Sequence, residues 1–477
     1  MLVKRNMAVI LGAFLLGNPF SLIADTVGMR TQLAIGQTMN IAVNNGVKAV
    51  LDWGNGNTSE MTFTGLLQEI PVQGDSLQIK TSSPIISFCC SDNQIVTLNL
   101  SQARSLEALD CNDNALKRLD LYQNRNLISL NCQRNTIEYL RVKYCTRLQI
   151  LNCAQNPLKE LDLGKNLVKL STLICAENQL SALDVSSFPK LEQLWCNDNL
   201  LESLSLSKNT ELKSLYAFGN RLSNLEIDNL SNLTALYVND NDLSTMELSN
   251  LLQLKTISID HNHLGKVGLS IKMKNNLKHF YANDNLLAYN SFPTVYSTAG
   301  GGKDILEKYN VAPQNAVSVV PAISVGEQLN LSALINKNGW GTTVVHTVTW
   351  KYAEGNTDLE EGIDFNVSKK GVYTFLRPLG DVYAEITAPT YPGLTLCTTP
   401  VKVMADATAI QNAAESTFRI TSQPGMLVVS TDIPVQLNVI ALDGRTILSQ
   451  ALSAGTHYRS LPAGIYIVNG RRVLIGR

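Results

Sequence analysis

The chain has 477 residues, too many for one compact core, so several domains are predicted. Its 39 basic and 40 acidic side chains leave a net charge of −1, which argues against a nucleic-acid binder working through a basic surface. Residues 1–24 read as a secretory signal. Lys4 and Arg5 form the charged end, Met7 to Leu16 the apolar stretch, and cleavage is expected near Ala24, although Leu22 is larger than the small residue usual at that spot. No later stretch is apolar for the ~18 residues a membrane span needs, so the product is expected outside the cell and without a transmembrane helix.

Residues 25–84 predict short strands, with alternating apolar residues in Met29 to Ile35, Met39 to Val43 and Val47 to Leu51. Gly36, Asn44-Asn45-Gly46 and Trp53 to Thr58 supply the turns. The simplest role for this piece is an N-terminal β cap over the open first edge of the segment beginning at Ile85.

Residues 85–289 repeat themselves. Asn93, Asn114, Asn135, Asn156, Asn178, Asn199, Asn220, Asn241, Asn262 and Asn285 mark ten units, with gaps of 21 or 22 residues and a last gap of 23. Each unit reads L-x-x-L-x-C-x-x-N-x-L-x-x-L-x-L, as in Leu148, Leu151, Cys153, Asn156, Leu158, Leu161 and Leu163. This pattern resembles the leucine-rich repeat. One unit cannot bury its own apolar side chains, so neighbours must stack as a parallel sheet with Leu and Cys pointing inward. The turn asparagine can both donate to and accept from backbone. The extra residues before Leu170 and Leu277 fall between units, where they enlarge a surface loop.

Six of the nine cysteines, Cys90, Cys111, Cys132, Cys153, Cys175 and Cys196, share one repeat position, where later units carry Ala217, Val238, Ile259 and Ala282. The substitutes are apolar, so packing is the preferred role over disulfides or a metal site. Cys89 (outward), Cys145 (in a loop between strands) and Cys397 lie outside this ladder, and an exposed disulfide or reactive thiol would come from these.

Outward strand positions should line a concave face. Just before the cysteine position stand Cys89, Asp110, Asn131, Asn152, Ile174, Trp195, Tyr216, Tyr237, Ser258 and Tyr281. Trp195, Tyr216 and Tyr237 form a solvent-exposed ridge that Phe218 joins, and together with Tyr281 they are the candidate partner-binding residues. The competing reading is that they cover one another across strands. Two places after the cysteine position runs a mostly acidic column, Asp92, Asp113, Glu177, Asp198, Asp240 and Asp284, interrupted by Arg134, Gly219 and His261. A solvated turn is preferred there over weak Ca²⁺ binding. His261-Asn262-His263 shows no acidic partner at ligand spacing, and His346 and His457 are scattered. No serine-hydrolase elbow, phosphate loop or zinc-protease motif is present, so no enzyme, cofactor or metal is expected.

Residues 290–316, with Gly300-Gly301-Gly302, read as a linker. Over 317–404 strands are predicted at Val317 to Val320, Gln328 to Leu334, Val344 to Tyr352, Val372 to Leu376, Val382 to Thr387 and Leu394 to Lys402. Their spacing resembles an immunoglobulin-like β-sandwich with Trp350 as core anchor, without the usual cysteine pair. Residues 405–416 read as a second linker. Strands are expected again at Met426 to Ser430, Gln436 to Ala441, Thr446 to Gln450, Ile465 to Asn469 and Arg472 to Ile475.

Within 417–477, Leu442-Asp443-Gly444-Arg445 and Leu461-Pro462-Ala463-Gly464-Ile465-Tyr466-Ile467-Val468 resemble the C-terminal sorting domain of type IX secretion cargo. That resemblance implies passage through the type IX machinery of a Gram-negative bacterium of the Bacteroidetes group, loss of the domain, and attachment of the rest to lipopolysaccharide at the outer-membrane surface. The 21-residue cysteine-bearing unit is most similar to internalins of the J type, but the chain has a sorting domain where that family has a wall anchor. The expected fold is therefore mainly β with an α/β-like solenoid. It comprises a leucine-rich repeat solenoid of ten 21-residue repeats, an N-terminal β cap, an immunoglobulin-like sandwich and a C-terminal β-sandwich sorting domain. The internalin resemblance implies a secreted surface adhesin binding a protein or glycan on host or neighbouring bacterial cells. A self-associating biofilm protein is the alternative, and a secreted hydrolase the third.

Overall fold

The computed structural model describes residues 25–297, 303–304, 306–405, 418–423, 425–431, 435–441, 445–453, 455–469 and 471–475. The expected signal segment, the triglycine, nearly all of the 405–416 linker and Leu442 to Gly444 lie outside the described residues. The rest forms two compact units. One holds the described residues up to Ser318 with Leu331–Thr349 and Ala384–Thr399; the other holds Val319–Asn330, Trp350–Tyr383 and the described residues from Pro400 onward.

The first unit is built on a 13-stranded sheet. Its parallel ladder runs from Ser87–Cys89 through Ala108–Asp110, Ser129–Asn131, Ile150–Asn152, Thr172–Ile174, Gln193–Trp195, Ser214–Tyr216, Ala235–Tyr237 and Thr256–Ser258 to His279–Tyr281. This is a solenoid of about nine turns with roughly 21-residue spacing, and the described residues are mostly β. Register is unshifted, so equivalent residues of successive units stand in columns. Leu130, Leu151, Leu173, Leu194, Leu215 and Leu236 are all fully buried, each contributing about 2 kcal/mol of apolar burial.

The repeat asparagines stitch the columns together. The Asn156 amide donates to the carbonyls of Cys132 (3.1 Å), Cys153 (3.2 Å) and Ala154 (3.1 Å), and its Oδ1 accepts from the Ile137 N–H at 3.0 Å. Asn135, Asn199, Asn241 and Asn262 repeat this pattern. Each therefore satisfies backbone groups of its own turn and the preceding one, groups that a buried bend would otherwise leave unpaired.

The six ladder cysteines have no exposed surface, and none of the nine cysteines is in a disulfide. Burial pushes the Cys132 and Cys175 thiols up to about 12. Two expectations about the remaining thiols are corrected. Cys145 is fully buried, because it occupies an inward position on the side of the solenoid opposite the sheet, in register with Ala103, Asn124, Phe188 and Asn209. Cys89, expected to point outward, is also buried, because Thr38–Val43 pairs alongside it through Ala42. Cys397 is half-buried.

Both ends of the ladder are hydrogen-bonded. Thr38–Val43 runs antiparallel to Ser87–Cys89, and Asn93 bonds both the N–H and the carbonyl of Asn40 at 2.8 Å. Thr26–Thr31, Lys48–Asp52, Thr58–Thr62 and Ser76–Thr81 make a second sheet, which Ile95–Asn99 of the first repeat joins. At the other end, within the stretch read as a linker, Lys308–Asn310 adds one more parallel strand to His279–Tyr281. Gln314 takes the asparagine's role, donating to Ala282 and Val311 carbonyls at 2.7 and 2.8 Å. Beyond it Tyr289 stacks on Tyr391 at 5.0 Å and donates to the Ile386 carbonyl at 3.1 Å.

In the second unit Trp350 is fully buried, edge-on to Tyr373 and Phe375. The strand expected over Gln328 to Leu334 stops at Asn330, where the second unit's segment ends, and Ser332–Ile335, which belongs to the first unit, is a helical turn. Phe365–Lys369 is an additional strand with a mostly exposed pattern. The C-terminal residues form sheets of three and four strands. Leu427, Val429, Leu437, Val439, Tyr466 and Val468 lie in their shared core.

Asn156→Ala is expected to cost about 3 kcal/mol, because one substitution strands carbonyls and an N–H in two turns, whereas Cys153→Ala should cost only ~1 kcal/mol. Urea unfolding of the two variants checks the order. In native protein at pH 8, iodoacetamide should leave Cys132 and Cys175 unmodified while urea-unfolded protein reacts fully; mass spectrometry reads the difference.

Candidate functional site

Alternation places every second strand residue on the open side of the sheet, and the unshifted register lines these residues up across strands. The column comprising Asp110, Asn131, Asn152, Ile174, Trp195, Tyr216, Tyr237, Ser258 and Tyr281 divides into two chemically distinct halves.

The first half is polar and internally paired. Asn131 and Asn112 donate to Asp110, Asn152 to Gln133, Gln133 to Gln155, and Gln155 to Glu177, over 2.6–3.0 Å. Asn131 and Asn152 are almost fully covered. Burial raises the Asp110 carboxyl, opposed by these bonds. The side chains of this half spend their hydrogen-bonding capacity on each other.

In the second half Trp195 meets Tyr216 at 4.3 Å between ring centroids, tilted by 34°, and Tyr216 meets Tyr237 at 4.7 Å, within 8° of parallel. These spacings are those of the strands beneath. The rings thus cover one another's faces, as the competing sequence reading held, and all three remain half-buried on the open side. What they offer outward is edges and polar tips. Burial, and next the Tyr237 phenol, raise the Tyr216 hydroxyl above the usual range. Phe218 and Tyr281 are half-buried too. Tyr281 comes after Tyr237 at a distance of two strands, with Ser258 between them.

The acidic column has a backbone cause. Asp92, Asp113, Arg134, Gln155, Glu177, Asp198, Asp240, His261 and Asp284 all have φ between 50° and 57°, and Gly219 has 63°. Every turn needs one left-handed residue there, a conformation that Gly and Asp adopt at low cost. This also explains the interruption at Gly219, whose added Cβ would lie 2.5 Å from Asp198 Oδ1.

One reading at this column is corrected. His261 does have acidic partners: Asp260 at 3.2 Å, Asp284 at 3.2 Å and Asp240 at 3.9 Å. Two of them come from neighbouring turns, so linear spacing hides them. Asp240, Asp260 and His261 bring potential ligand atoms within 4.8 Å of one another. The hydrogen bond to Asp260, followed by the charges of Asp240, Asp284 and Asp260, raises the His261 imidazole above its ordinary value, against an opposing effect of burial.

Sequence reasoning missed two buried asparagines in the column on the far side of the solenoid. Asn124 donates to Leu100 and Ala103 carbonyls and Asn209 to Val185 and Phe188 carbonyls, over 2.8–3.1 Å. Among the residues that the sequence suggested as a sorting motif, Tyr466 donates to the Pro462 carbonyl at 3.0 Å and packs close to Gly464, while Arg445 accepts through its carbonyl from Ala441. Gly444 lies outside the described residues.

A raised imidazole stabilises the fold most below its unfolded pKa, and that contribution is lost as pH rises through the folded value. The thermal midpoint of His261→Gln should therefore fall below that of the parent chain by more at pH 5 than at pH 9. An equal difference at both pH values counts against the carboxylate pairing.

No family model and no curated protein matches this chain. Solved structures do. The functional domain of internalin J from Listeria monocytogenes, described as including a cysteine ladder, is 17% identical with a TM-score of 0.38, over 67% of this chain and 91% of that one. The internalin InlF of Listeria monocytogenes is 17% identical with a TM-score of 0.34, over 48% and 81%. YopM, a leucine-rich effector protein of Yersinia pestis, is 22% identical with a TM-score of 0.39, over 51% and 63%.

Proposed function

We propose that this chain is an exported surface protein that grips a macromolecular partner through the aromatic half of its ladder face. The observation that carries the reading is the contrast between the two halves of that face. The side chains of the polar half are hydrogen-bonded to one another. The Trp195, Tyr216 and Tyr237 stack stands half-exposed beside it, with edges and polar tips outward. Aromatic side chains of this kind dominate the energetics of protein interfaces, and exposed ones cost solvation until covered. Export is supported by Lys4, Arg5 and the apolar run after them. Outer-membrane display by the type IX route, with a lipopolysaccharide anchor, rests on the resemblance of residues 417–477 to sorting domains. No helix among the described residues is long and apolar enough to cross a membrane.

The test is binding of the purified full chain to host and bacterial cells. Changing Trp195 and Tyr237 together to Ala should weaken saturable binding by about tenfold. The same change removes both ring pairs and should cost ~2 kcal/mol of stability, so circular dichroism must first establish that the variant is folded. Asn152→Ala, in the polar half, should leave binding unchanged. A folded double variant that binds as the parent does would sink the proposal. Light scattering of the protein alone separates partner binding from self-association.

A further inference from the structure

A second surface of the solenoid, away from the ladder sheet, gathers tyrosines and cations. Tyr139–Arg141 and Glu160–Asp162 pair there as a two-stranded parallel sheet of their own. Tyr122 meets Tyr144 edge-on at 4.9 Å. Arg125 lies over the Tyr122 ring at 5.2 Å, Lys143 over Tyr144 at 5.7 Å and Arg141 over Tyr139 at 5.5 Å, each within the range of cation–π attraction. Asp162 joins these groups. It pairs with Lys143 at 2.9 Å and Arg141 at 3.2 Å and accepts from the Tyr139 hydroxyl at 3.4 Å. Three rings, three cations and one carboxylate thus form one connected surface.

Its charge is not balanced. Residues 117–165 hold nine Lys and Arg against four Asp and Glu, in a chain whose net charge is −1. Arg141 and Lys143 share Asp162 between them, and Arg125 has no carboxylate partner among the described residues, its Nε donating to the Tyr122 carbonyl at 3.5 Å. The groups are also held in place while exposed. Arg141 donates from Nε and Nη2 to the Tyr139 hydroxyl at 3.2 and 3.0 Å, yet its side chain is 50% exposed. The Lys143 stem lies against Gly164 of the next turn, where a Cβ would come within 2.6 Å of the Lys143 Cβ. Tyr122 and Tyr139 are 47% and 39% exposed. Side chains fixed in this way lose less freedom when a ligand arrives.

We propose that this surface binds an acidic polysaccharide, with its oxyanion groups paired to Arg125, Arg141 and Lys143 and its sugar rings laid against Tyr122 and Tyr139. A guanidinium presents a planar fork that matches two oxygens of a sulfate or carboxylate, and an ammonium adds a point charge. The C–H face of a sugar ring is apolar and packs on an aromatic ring, while its hydroxyls reach the polar rim. An acidic peptide supplies the charge but offers the tyrosines no flat partner. A single nucleic-acid strand needs successive ring faces turned the same way, whereas Tyr122 and Tyr144 stand at 79° to each other. No ladder-face residue takes part, so the inference stands or falls apart from the proposed function.

The test uses the full chain and four fluorescent probes, dextran sulfate, neutral dextran, polyglutamate and oligothymidylate, compared by anisotropy at physiological salt. Dextran sulfate should bind about tenfold tighter than polyglutamate or oligothymidylate, and neutral dextran should not bind. Arg125→Gln with Lys143→Gln should weaken dextran sulfate binding by about tenfold. If that variant fails to fold, Arg125→Gln alone, at an exposed side chain, should still weaken it by about threefold. Tyr122→Ala should weaken dextran sulfate by about threefold and leave polyglutamate unchanged. Lys272→Gln with Lys274→Gln, at cations elsewhere on the solenoid, should change nothing. Polyglutamate or oligothymidylate binding as tightly as dextran sulfate overturns the proposal, as does parental binding by the folded Arg125 variants. Equal losses for both anionic probes in Tyr122→Ala overturn it through the sugar contact. Self-association of the parent chain that Arg125→Gln with Lys143→Gln abolishes, read by light scattering without any probe, would give the surface to a second copy and overturns it too.

Discussion

Every turn of this solenoid depends on one amide. A parallel ladder of three-residue strands must bend its chain sharply after each strand, and the bend turns carbonyls inward where water cannot reach them. The repeat asparagine, as at Asn156, donates to three of these carbonyls and accepts one N–H, drawn from two successive turns. Aspartate would lack the donors and leucine both functions. The leucine and cysteine columns supply apolar burial, but burial has no fixed register of its own; the amide provides one. The columns on the open side, and with them the aromatic stack, inherit their alignment from it.

The same logic explains which features were legible in the sequence. Asparagine and leucine recur at 21-residue spacing because each turn imposes the same demand, so the ladder and the inward cysteines could be read directly. The rear column carries Ala103, Asn124, Cys145, Phe188 and Asn209, which share only their burial, and no residue type announces it. The strand Lys308–Asn310 was hidden because Gln314 substitutes for the asparagine and the leucine pattern has ended. Phe365–Lys369 and Gly455–Ser460 escaped for another reason: their side chains are mostly exposed, so the alternation that reveals a strand is weak.

The candidate site was legible as a list of residues and illegible as an arrangement. The aromatic column could be written down from the repeat, but whether the rings stand apart or lie on one another depends on strand spacing and side-chain direction. The acidic column carried a chemical suggestion that the backbone accounts for, since a left-handed residue is required once per turn. The His261 cluster went unseen because its carboxylates Asp240 and Asp284 are 21 and 23 residues away in the chain.

Mutual coverage of the rings has a consequence for sequence drift. Replacing Tyr216 would uncover two ring faces, those of Trp195 and Tyr237, while replacing either outer member would uncover one. The effect of each substitution therefore depends on what its neighbours already are. Such a patch resists piecemeal erosion, and its members are expected to be retained or exchanged as a block, in contrast to the independent choices open to isolated surface side chains.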